Sequence, residues 1–176
     1  MTSSELIIAA ECFARENHKR QTRKGAAREP YINHVEEVAK LVTEFEGNEI
    51  AIAGAWLHDV VEDCEPTIDD ISERFGGAVA KVVREVTDNK DLEKTVRKHR
   101  QVESASRKSH EACLIKWADK TSNLRSIANS PPDWTDERKR EYIRWATSVT
   151  SNLRSQPEAA IALFNRARAL AEASLK

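Results

Sequence analysis

The chain has 176 residues, 40% hydrophobic and 32% charged, with a formal net charge of -1. That length suits one domain with a substantial core, and the composition excludes disordered and fibrous chains. The balanced charge lacks the positive field of a protein that grips nucleic acid, and the longest apolar stretch, 50–57, falls far short of the ~20 residues of a membrane span; with no basic-then-apolar leader, a cytoplasmic protein is expected.

Apolar residues recur at helical spacing almost throughout, which predicts an all-α fold, a single-domain helical bundle over 1–176. The first helix is expected over 3–17. The stretch from His18 to Asn33 that follows, HKRQTRKGAAREPYIN, is the longest expected to be non-helical. Its basic side chains are those of a solvated surface loop, unless an anion gives them work.

Helices are then expected over 34–46, where Val35, Val38, Leu41, Val42 and Phe45 repeat on one face and Gly47 stops the run, and over 48–62. Thr67 with Asp70 has the form of a capping box opening a helix over 67–74, and Gly76-Gly77 separates it from a helix over 77–87 faced by Val79, Val82, Val83 and Val86. Further helices are predicted over 91–104, 109–128, 135–153 and 156–174, with Pro131-Pro132 marking a break. Three widely spaced cysteines, Cys12, Cys64 and Cys113, fit neither a disulfide framework nor a zinc motif and are read as reduced core thiols.

The informative segment is 50–63, IAIAGAWLHDVVED, in which an apolar helix suddenly presents four ionisable groups. Burying an ionised carboxylate without compensation costs several kcal/mol, so something cationic is expected there. On a continuous helix His58 and Glu62 lie four apart, as do Asp59 and Asp63, so the two pairs share one side. His34, at the end of Pro-Tyr-Ile-Asn-His, and Asp119, inside the apolar run Leu114-Ile-Lys-Trp-Ala-Asp, have similar surroundings. Two imidazoles and two carboxylates suit a divalent transition metal, with manganese, iron, cobalt and zinc all compatible. Each of these residues alone reads more simply as a core or surface side chain; together they do not.

Several ordered motifs share this pattern: Arg23-Lys24-Gly25, Glu29-Pro-Tyr-Ile-Asn-His34, Trp56-Leu-His-Asp-Val-Val-Glu-Asp63, Phe75-Gly76, Glu85-Val-Thr-Asp88, and Lys116-Trp-Ala-Asp-Lys-Thr-Ser-Asn-Leu124. On these motifs the chain resembles the HD superfamily, and within it the hydrolase domain of RelA/SpoT proteins, especially the stand-alone metazoan SpoT homologues and bacterial small alarmone hydrolases. The resemblance implies a manganese ion held by His34, His58, Asp59 and Asp119, with Glu62 and Asp63 in catalysis. It implies contacts to a guanosine nucleotide from Arg23, Lys24, Asn123 and Tyr142, with Lys94 near the phosphates. The motif core runs over about 18–125, followed by helices in 135–174.

The implied reaction removes pyrophosphate from the 3′ side of (p)ppGpp, giving GDP or GTP, with no synthetase activity. Two other readings stay open at this point: the same metal chemistry on another nucleotide, such as the 2′-phosphate of NADPH, and a non-catalytic nucleotide-binding module. The expected partner is a small nucleotide, not nucleic acid or membrane, and the oligomeric state is left open, a homodimer included.

Overall fold

A nine-residue helix that is apolar on nearly every side has to be enclosed by others, and the segment Glu49–Leu57 is such a helix, buried from Ala51 through Leu57 except at Ile52. In the computed structural model, which describes residues 1–25 and 27–175, it is the third of ten helices among the described residues. In chain order these are α1 (Ser3–His18), α2 (Ile32–Glu44), α3 (Glu49–Leu57), α4 (Val60–Asp63), α5 (Ile68–Phe75), α6 (Gly77–Val86), α7 (Lys94–Ser104), α8 (His110–Asn129), α9 (Asp136–Ser151) and α10 (Glu158–Ala173), with a 3-10 turn at Ala105–Arg107 before α8. No strand occurs among the described residues, and the fold is all-α as expected.

The local chemistry at the helix ends follows the sequence. Asn48 caps α3 by accepting from the Ala51 amide at 2.9 Å, and Thr67 with Asp70 forms the expected capping box of α5. Gly76 has φ 88°, a left-handed conformation that turns the chain from α5 into α6 with little strain for a residue lacking Cβ. At Gly54 a Cβ would meet Val82 Cγ1 at 3.0 Å and Ile115 Cδ1 at 3.1 Å, so glycine lets α3 lie directly against α6 and α8. The expected stripes on α2 and α6 are buried in this core. α8 is the other central helix, packed chiefly against α10 and α2 and buried on most of its circumference.

Three expectations need correction. The helix predicted over 48–62 breaks at His58–Asp59, because Asp59 sits at φ -106° and ψ -3°, in the sparsely populated bridge region often occupied at functional sites. The residues expected to be core thiols differ: Cys113 is buried, Cys64 is half-buried, and Cys12 lies exposed on α1. The loop before α2 is also ordered more tightly than a solvated loop requires. An isolated antiparallel bridge joins Thr22 to Pro30, the Arg23 amide donates to Glu29 at 2.8 Å, and Tyr31 to Gln21 at 2.9 Å. This closure turns Arg23 and Lys24 toward the bundle.

No helix among the described residues is long and apolar enough to cross a membrane.

Candidate metal centre and its cleft

The break after α3, the start of α2 and the middle of α8 meet at one point. There His34 Nε2 lies 3.7 Å from Asp59 Oδ2 and 3.6 Å from Asp119 Oδ1, while His58 Nε2 lies 3.0 Å from Asp59 Oδ2. Ligand bonds of about 2.1 Å at tetrahedral or right angles separate neighbouring ligand atoms by roughly 3.0–3.4 Å, close to these spacings. All four residues expected as ligands thus converge, and His34, His58 and Asp59 by themselves form a group with metal-binding geometry.

Hydrogen bonds at the far side of each ring decide which nitrogen faces this point. His58 Nδ1 is 2.7 Å from the Ala55 carbonyl, which can only accept, so Nδ1 carries a proton and Nε2 is the atom turned to the centre. The Ser122 hydroxyl donates to Glu37 at 2.6 Å, so at 2.8 Å it accepts from His34 Nδ1, leaving His34 Nε2 free in the same way. Arg125 fixes the other Glu37 oxygen at 2.8 Å. Although His58 Nε2 is close to Asp59, it makes no hydrogen bond of acceptable geometry among the described residues. A buried nitrogen left without a hydrogen bond beside two carboxylates fits a cation between them.

Charge confirms how strongly the centre attracts positive species. Burial, with Arg23 and His58 nearby, pushes His34 down to about 3. Burial opposes charge on His58 as well, but Asp59 outweighs it and raises the ring to about 9. Asp59 is buried, yet His58, His34 and the Tyr31 hydroxyl, which donates to Oδ2 at 2.6 Å, hold it well below the ordinary carboxylate range. Asp119 is held low against its burial by Lys120 and Lys116. The proton drawn to His58 occupies a position that a divalent ion would take over.

The centre forms the floor of a cleft of about 540 Å³, within the range that accommodates a small ligand. Glu62 and Asp63 line it beside His34, Asp59 and Asp119, with His58 buried behind Asp59. Burial, and then the charge of Asp59, raise Glu62 above its ordinary value, and its Oε2 accepts from the Asp88 amide at 3.1 Å. Asp63 differs: it pairs with Lys90 at the more exposed mouth.

Of the residues expected to contact substrate, Arg23, Lys24, Asn123 and Tyr142 line the cleft. Asn123 lies one turn beyond Asp119 and donates to its Oδ1 at 2.6 Å, while accepting from Arg23 at 2.8 Å. Tyr142 combines its two readings, since its ring packs edge-on against Trp145 while the residue faces the cleft. Lys94 does not line the cleft. It begins α7 on the exposed surface, where burial and the charges of Arg138, Lys98 and Lys24 lower its pKa.

Sequence reasoning overlooked Lys116, Lys120 and Tyr31 as cleft residues. Lys120 bonds Asp119 Oδ2 at 2.9 Å and lies 4.3 Å over the Trp145 ring; Lys116 donates to the Val86 carbonyl at 2.9 Å. Both lysines are buried. The signal was present, because Lys116 is an ionisable residue inside the same apolar run that drew attention to Asp119, and Lys120 directly follows it.

The HD domain family matches residues 10–149. The chain is 44% identical over 149 residues to the guanosine-3′,5′-bis(diphosphate) 3′-pyrophosphohydrolase MESH1 of Drosophila melanogaster, covering 82% of this chain and 83% of that protein. The human MESH1 protein is 41% identical over 154 residues, 86% of each chain. A solved structure of a metazoan ortholog of SpoT that hydrolyzes ppGpp superposes with a TM-score of 0.87 at 38% identity, over 92% of this chain and 93% of that one.

Proposed function

Since the chain belongs to the HD domain family, we propose that it is a metal-dependent hydrolase that removes pyrophosphate from the 3′ side of guanosine 3′,5′-bis(diphosphate) and its triphosphate analogue. The observation that carries this reading is the meeting of His34, His58, Asp59 and Asp119 beside Glu62 in a cleft walled by cations. The MESH1 relatives, named for this reaction, supply the substrate. The activity belongs to one domain acting in the cytosol on a small nucleotide.

His34, His58, Asp59 and Asp119 would hold the metal; their mixed nitrogen and oxygen donors suit a divalent transition ion, and the family resemblance points to manganese among these. When bound, the ion supplies Lewis acidity toward water and a phosphate oxygen. Every other element of the chemistry comes from the chain. Glu62, raised by burial, takes the proton of the attacking water as the new oxygen–phosphorus bond forms, and returns it to the 3′ oxygen as the bond between that oxygen and phosphorus breaks. Asp63, paired with Lys90 at the mouth, orients the water.

Arg23, Lys24, Lys116 and Lys120 spread positive charge along the cleft, where a guanidinium offers parallel hydrogen bonds to phosphate and an ammonium offers a compact charge. Asn123 relays position from Asp119 to Arg23. Tyr142 gives an aromatic wall for the nucleoside, and Lys94 attracts the anionic substrate from the rim.

Purified protein with manganese is incubated with ppGpp, with EDTA and Glu62→Ala controls and a parallel NADPH reaction. GDP and pyrophosphate in equal amounts, abolished by EDTA, are the expected products. Orthophosphate from NADPH with no turnover of ppGpp would overturn the substrate assignment.

A further inference from the structure

Behind the catalytic cleft, between the α6–α7 connection, α7 and the 3-10 turn, lies a second cavity of about 520 Å³. It shares Asp88 and Gln101 with the main cleft, so the two spaces lie back to back. Arg97 lines only the second cavity, yet its Nη1 reaches toward Glu62, 3.8 Å away.

Its cations are only partly compensated, Arg97 by Glu62 at 3.8 Å and Lys108 by the more distant charges of Glu85 and Asp88. Lys108 lines the cavity and is 8% exposed; its ammonium donates to the Glu85 carbonyl and has no carboxylate within ion-pairing distance among the described residues. Arg97 Nε is buried and has no hydrogen-bond partner among those residues. Arg100 and Arg107, also lining the cavity, make no ion pair among them. The acids nearby are already engaged: Glu85 accepts from the Ser109 amide at 2.6 Å, Asp88 from Gln101 at 2.6 Å, and Glu103 pairs with His99 at 3.3 Å.

A buried ammonium with no carboxylate in ion-pairing contact and a buried guanidinium N–H without an acceptor carry a desolvation cost that an oxyanion would offset. Three guanidinium groups around one ammonium match the several oxygens of a phosphate, each able to take charge-assisted hydrogen bonds. Burial, and then the nearby Lys116, lower Lys108 to about 8 against the opposing charges of Glu85 and Asp88, so an added anion would favour its charged form.

We propose that this cavity is a second anion site, distinct from the catalytic cleft, which takes the phosphate group of a small molecule on Lys108, Arg97, Arg100 and Arg107. Its occupant competes with Glu62 for Arg97, so the site reports anion concentration to the catalytic carboxylate. Lys108, Arg97, Arg100 and Arg107 lie outside the lining of the main cleft, although the two cavities share Asp88 and Gln101, so the two sites are told apart by their separate midpoints.

The test is a titration of the intact, nitrogen-15-labelled chain with inorganic phosphate, and separately with GDP, following the arginine Nε–H signals and the amides of residues 97–108. Saturable shifts with their own midpoint are expected there, different from the midpoint at Arg23 and Lys24. In Arg100→Ala/Arg107→Ala that midpoint should rise about tenfold, the loss of roughly one charge-assisted contact pair. Turnover of ppGpp in phosphate-free buffer should stay unchanged, showing that the variant folds. Shifts at lower GDP than phosphate concentrations would identify a nucleotide as occupant, and the reverse order a free anion. Non-saturating shifts, or one midpoint shared with the main cleft and unaffected by the double substitution, would overturn the second site.

Discussion

The two sides of α8 are both buried, but burial asks different things of them. On one side Leu114, Ile115, Ala118 and Leu124 enter the apolar core, where removal from water is itself the stabilising event. On the other, Lys116, Asp119, Lys120 and Asn123 face the cleft, and each must be matched by a partner: a carbonyl, a carboxylate, an imidazole across the centre or a guanidinium. The core side is complete without a ligand. The cleft side is complete only with added positive charge at the floor and negative charge at the walls, which makes it a site.

The comparison breaks most sharply at Glu62. Glu62→Gln should lower kcat by about 10²–10⁴-fold, the usual worth of a positioned acid–base group, with folding intact. In the proposed mechanism the ionised Glu62 carboxylate is the base, so the wild-type rate should fall as pH drops through its raised value; this acid limb should lie above the ~4.3 of an ordinary Glu and disappear in the variant. A rate profile that keeps the same limb in Glu62→Gln would remove Glu62 from that role.

On the core side the reverse is expected. Ile115→Ala should cost about 2–5 kcal/mol of stability by leaving a cavity against α3, seen as a fall in melting temperature, while kcat at low temperature stays near wild type. A large loss of kcat in a folded Ile115→Ala protein would show that the two sides are not separable.

Smaller effects sharpen the boundary. Ser122→Ala removes the acceptor that fixes His34 and should weaken metal affinity about 10–100-fold without changing the unfolding midpoint in excess metal. Asn123→Ala should raise KM several-fold, about the 0.5–1.5 kcal/mol of one hydrogen bond, by releasing Arg23 from Asp119. An unchanged KM would confine Asn123 to packing.

Much of the site could be read from sequence wherever a charge interrupts an apolar period. His58, Asp59, Glu62 and Asp119 stand out by that rule, whereas Asn123, implied only as a substrate contact, also bonds Asp119 one turn before it. The break at His58–Asp59 was hidden, since the residues 57–60 carry neither glycine nor proline and the bridge conformation of Asp59 is imposed by tertiary contacts such as the Tyr31 hydroxyl. Arg23 was legible only as part of a basic loop; its bond to a residue 100 positions away depends on a loop closure that no local pattern announces. Lys94, expected near the phosphates, begins α7 outside the cleft lining, a placement that its basic segment alone does not reveal.

The most direct test is the metal content of two purified variants, measured by mass spectrometry after dialysis against manganese and alongside turnover. Asp59→Ala should lose both the metal and all detectable activity, whereas Glu62→Gln should keep about one metal per chain and lose turnover alone. Stoichiometric metal and full activity in Asp59→Ala would contradict the metal centre on which this account rests.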